Sequence, residues 1–180
     1  MAEMVDASAS STDVYREGSN PSTPTKNNPT RSGSIMKRQE YLELKKRHQE
    51  EFDKFPIVYA FNDKQLDEAL EKLGATREEC VSVFGHGDIV KKEDARALLD
   101  LLDRQRNELM RKILDDQEFA YEAFLYEMEN HEYYINLDGD DDVLDCFNLT
   151  FEKLNRYGLQ YAWRKAREQH LKDAQDWELI

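Results

Sequence analysis

The side chains best suited to chemistry gather between Asp115 and Asp145 of this 180-residue chain. On a helix advancing about 100° per residue, Glu127 and His131 are i,i+4 neighbours. They share a side with Ala120, Ala123 and Phe124, and Asn130 lies at its margin. Downstream, Asp138, Asp140 and Asp142 crowd the stretch Asn136–Asp142, which reads as a turn. Carboxylates with one imidazole suit Mn, Fe or Zn, so Glu127, His131 and the 138–142 aspartates form a candidate metal set. The same pair could serve as a base, His131, oriented by an acid, Glu127. The plainer alternative is a buried pair that fixes helix packing.

Several established chemistries do not fit. Gly139 directly follows Asp138, and no Glu stands at the twelfth position, so the aspartate run is not a calcium loop. Paired Glu-x-x-His motifs of the ferritin kind are absent. No Ser or Cys sits on a recognisable nucleophile turn. His86, in Gly85-His86-Gly87-Asp88, is explained by a hairpin turn, and His48 and His170 lack metal-ligand spacing.

The remaining helical acids point elsewhere. Glu118, Glu122, Glu129 and Glu132 fall within roughly 80° of one another, the pattern of a solvated stripe. Residues 115–145 hold twelve acids and no Lys or Arg, against a net charge of -13 for the whole chain. The excess is therefore local, and it sits among six aromatics, Phe119, Tyr121, Phe124, Tyr126, Tyr133 and Tyr134. Such a surface suits a basic protein partner.

The elements that must position these residues follow from periodicity and caps. Residues 1–35 carry seven serines and three of the four prolines, and read as a disordered tail. Residues 36–55 alternate charges around few, irregular apolar residues, the pattern of a solvated helical arm. Residues 56–180 read as the compact domain. Within it, Pro56–Phe61, Val81–Phe84 and Ile89–Val90 are strand candidates for a small two- or three-stranded antiparallel sheet. Asn62 with Gln65, and Thr76 with Glu79, are capping boxes, and Gly74 is a stop signal. Helices are expected over Glu93–Leu114, over Gln117–Tyr134 after an Asp116 cap, and after Val143 with a break near Gly158. The fold class is α+β, mostly helical.

Composition narrows the rest. A pI near 4.8 argues against direct binding of a nucleic-acid backbone. No run reaches the length of a membrane span, and the start lacks the order of a signal peptide. Cys80 and Cys146, the two cysteines, read as small buried thiols in a reducing, cytoplasmic setting.

The runs Phe55–Asn62 with Gln65, and Tyr126-Glu127-Met128-Glu129-Asn130-His131-Glu132-Tyr133, resemble a small family of uncharacterised domains from bacterial mobile elements and phages. The resemblance spans about residues 54 to 147. It implies a phage or mobile-element origin and singles out the helix bearing Glu127, Asn130, His131 and Glu132, with no assigned activity. The expectation is a small, non-enzymatic binding or regulatory protein whose acidic helix and loop dock a basic protein partner. The alternative is a metal-binding domain or metal-dependent enzyme; no other cofactor is expected. No oligomeric state is implied.

Overall fold

The computed structural model describes residues 29–131 and 139–178. The chain runs α1 (Pro29–Asp53), β1 (Val58–Tyr59), α2 (Asp63–Leu73), a 3-10 turn (Arg77–Glu79), β2 (Cys80–Val81) and β3 (Asp88–Lys91). It continues through α3 (Lys92–Asp115), α4 (Gln117–Asn130), α5 (Gly139–Asp145), α6 (Phe151–Arg156) and α7 (Gln160–Glu178). The fold is α+β and mostly helical, as the pattern predicts.

Local chemistry places the smaller half. Asn62 accepts from the Gln65 amide at 2.9 Å, while the Gln65 side chain accepts from the Phe61 amide at 2.8 Å. Those two bonds satisfy donors that the start of α2 would otherwise leave open. At its other end Gly74 adopts a left-handed φ of 59°, and its N–H reaches Glu71 O. The sheet is antiparallel in the order β1-β3-β2, with Val58 opposite Ile89 and Cys80 opposite Lys91. Ala69, Ile89, Val90 and Leu98 bury its inner side against α2 and the start of α3. The second strand is Cys80–Val81, shorter and earlier than the Val81–Phe84 run, because Asp88 draws Ser82, Val83 and Phe84 into a turn.

The larger half is built around α4. Nine of its fourteen residues are buried, on every side of the helix. A helix enclosed all round belongs at the centre of a bundle. Here α1, α3 and α7 surround it. Phe124 meets Phe147 and Trp163 edge-on, at ring separations of 5.0 and 5.3 Å. Asp116 caps α4 through the amides of Glu118 and Phe119, both at 3.0 Å, as expected.

Two expectations change. The arm at 36–55 is not a solvated appendage. Its helix opens at Pro29, and Tyr41 and Leu44 are buried against α4. Gln105 of α3 also binds the His48 carbonyl at 2.9 Å, tying down the far end of α1. Two buried side chains suffice to dock α1, too few to leave a clear periodicity. The second change is that the 138–142 aspartates are not in a loop: from Gly139 onward they form α5, anchored by buried Val143 and Leu144. Residues 1–28 of the expected tail, Glu132 and Asp138 lie outside the described residues.

Candidate metal centre

Of the acidic stripe, Glu122 is buried in an ion pair, whereas Glu118 and Glu129 are paired while still part-exposed to solvent. Glu122 is 5% exposed and accepts from Arg38 Nε at 3.2 Å and from the Ser34 hydroxyl. The same Arg38 reaches Glu129 at 2.9 Å, and Lys165 of α7 reaches Glu118 at 3.1 Å. Lys37 reaches Asp116 at 2.7 Å. The helical acids of a block with no Lys or Arg of its own thus take their cations from α1 and α7. Burying an unpaired carboxylate costs several kcal/mol, roughly, so these cations are part of what lets α4 sit centrally.

Glu127 is held in the same way, with a difference. It is 1% exposed, and its Oε1 accepts from Tyr41 Oη at 2.6 Å and Lys45 Nζ at 2.5 Å, both from α1. Lys45 also lies over the Tyr41 and Tyr126 rings. Burial, with Glu127 beside it, pushes the Tyr41 phenol far above its ordinary range. It therefore keeps its proton and remains a donor. The second carboxylate oxygen, Oε2, turns away from α1 and lies 3.5 Å from His131 Nε2.

His131 caps the C-terminal end of α4, its N–H bonded to the Glu127 carbonyl at 2.9 Å, and its ring reaches the exposed rim. There it meets Cys146, which follows α5, with Sγ 3.2 Å from Nε2. The Cys146 sulfur is also 3.4 Å from the Asp142 carbonyl one helical turn back. One atom each from Glu127, His131 and Cys146 thus lie within 4.8 Å of one another.

The pair Glu127–His131 is where its spacing places it, but its third member is Cys146 rather than an aspartate. Asp140 faces Arg167 at 3.8 Å, and the carboxylate of exposed Asp142 is not among the three converging groups. Asn130 is exposed at the last position of α4. Cys146 itself, expected to be buried, is exposed, and Cys80 is half-buried; both are free thiols. Nothing local marks Cys146 as a partner, since it lies fifteen residues along the chain from His131.

This geometry separates the chemical readings. In a catalytic relay the acid binds one imidazole nitrogen and the nucleophile the other. Here Glu127 and Cys146 both approach Nε2. Burial and the Glu127 charge also push the Cys146 thiol up, so it is not a ready thiolate. Three donors converging on one point, of oxygen, nitrogen and sulfur type, instead suit a borderline-soft divalent ion. Such an ion would displace the thiol proton as it bound.

Fold and site together define a small α+β domain in which a buried central helix ends in a mixed-donor cluster. The chain belongs to DUF7659, a family of unknown function whose model matches residues 40–169. Tyr41, Lys45, Glu127, His131 and Cys146 all fall inside that match, whereas Ser34 and Arg38 precede it. No curated protein and no solved structure matches the chain. Among the described residues, no helix is long and apolar enough to cross a membrane.

Proposed function

We propose that this domain binds a divalent transition metal of the zinc or cobalt class through Glu127 Oε2, His131 Nε2 and Cys146 Sγ. The observation that carries this reading is the convergence of those three atoms within 4.8 Å. Binding, rather than catalysis, is the role it supports. Two free thiols suit a reducing, cytoplasmic setting, in which Cys146 stays available as a ligand. The motif around Glu127 supports an origin in a phage or mobile element. The full chain titrated with Co(II) is expected to take up one equivalent and show a near-ultraviolet sulfur-to-cobalt band. Cys146→Ser is expected to lose that band while keeping the fold. Wild-type protein without the band, and with no zinc bound after dialysis, would sink the proposal.

The protein-partner reading keeps a narrower basis. Glu118, Glu122 and Glu129 are already ion-paired within the chain, but Asp141, Asp142 and Asp145 on α5 are exposed with no ion pair among the described residues. They support docking of a basic protein partner beside the metal cluster. Reversing all three to Lys is expected to abolish a salt-sensitive complex with that partner. Undiminished binding would remove the support.

A further inference from the structure

Resting on the metal reading above, we infer that Lys45 and the metal are antagonistic counter-ions of one buried carboxylate, so that the site binds its ion reversibly rather than needing it to fold. Glu127 divides its two oxygens. Oε1 carries the Tyr41 and Lys45 bonds from α1, and Oε2 faces His131. With Lys45 in place the carboxylate is already paired, and the aromatic and aliphatic core around α4 is continuous without help from a metal. A structural zinc site works differently: its ligands have no other charge partner, and the protein unfolds when the ion leaves.

A divalent ion at Oε2 would bring a second cation to the same carboxylate. Like charges that share one counter-charge weaken each other, and the weakening is reciprocal: Lys45 lowers metal affinity by the factor by which the metal loosens Lys45. The Lys45 side chain is 44% exposed, so water can take up its charge when the metal arrives. The Tyr41 hydroxyl is neutral, and would go on positioning Oε1 in either condition. Lys45 is therefore a positioning and affinity-setting residue that does not itself touch the ion.

Lys45→Met separates this from a plain structural salt bridge. Without metal, the variant is expected to unfold at lower temperature than wild type, because Glu127 loses its counter-ion. With zinc, its unfolding temperature is expected to rise by more degrees than that of wild type. Competition against a chromogenic chelator is expected to show zinc bound about tenfold more tightly by the variant. Lys45→Arg, which keeps the cation, is expected to behave as wild type. Lys45→Gln, which keeps a donor and removes the charge, gives the same reading should the methionine variant not fold. A wild type that binds cobalt, with Lys45→Met and Lys45→Gln binding zinc no more tightly, overturns the antagonism and leaves the metal site standing. A wild type that binds neither ion overturns both.

Discussion

Asp88 and Glu127 are both buried carboxylates, yet the molecule satisfies them in opposite ways. Asp88, fully buried in β3, draws every donor from the six residues before it. Ser82 Oγ donates at 2.8 Å, and the amides of Val83, Phe84 and His86 donate at 2.6, 3.1 and 3.2 Å. Those bonds outweigh the burial and hold its pKa down to about 2. The turn they close has no slack, since a Cβ on Gly87, at φ +80°, would meet Ala60 O at 2.7 Å. Glu127 instead draws Tyr41 and Lys45 from more than eighty residues away, and leaves one oxygen toward an exposed His–Cys pair. A carboxylate saturated by its own turn has nothing left to offer a ligand. One that is half-saturated by another helix does.

That contrast is sharpest for stability at Asp88. Asp88→Asn puts an amide NH2 against backbone N–H groups that need an acceptor, with a cost of about 2–4 kcal/mol. The acid behaviour follows from the same bonds. Asp88 titrates at about 2 when folded and near 3.8 when free, so its contribution is complete above the free value. It is lost as pH falls from about 4 through 2, to a total of about 2 kcal/mol. Urea unfolding across that range is expected to show the loss in wild type and a flatter profile in the asparagine variant. Equal stabilities at neutral pH would mean that the turn holds without its carboxylate, and the contrast would collapse.

The same contrast explains what the sequence makes legible. Asn62, Gln65, Gly74, Thr76, Glu79 and Asp116 each act on residues within five positions, so the caps of α2, the 3-10 turn and α4 can be read directly. Glu127 with His131 is legible for the same reason, being one helical turn apart. The docking of α1 is not, because Tyr41 and Leu44 carry it amid a charged pattern. Arg38 and Lys45 meet their carboxylates across 82 to 91 residues, and charge arithmetic along the chain cannot see such pairings. Cys146 enters the cluster through the packing of Val143 and Leu144 on the core, a tertiary effect without a motif. A run of aspartates after glycine reads as a loop, yet in α5 the acids lie in the first turn, where the helix dipole favours them.

Glu127→Gln is expected to give the smallest stability change, about 1 kcal/mol or less. Glutamine keeps the shape, and its oxygen still accepts from Tyr41. No buried charge is left unpaired, since Lys45 reaches water from its present place. The spare NH2 faces His131 Nε2 and Cys146 Sγ, either of which can accept from it. Metal affinity is expected to fall by about a hundredfold all the same, because the atom then facing His131 and Cys146 is an amide NH2, which cannot ligate zinc. Denaturant midpoints and the cobalt band, measured on the same variant, read the two effects separately. A midpoint loss as large as that of Asp88→Asn would make Glu127 a second saturated carboxylate, and the oxygen turned toward His131 would have no ligand to serve.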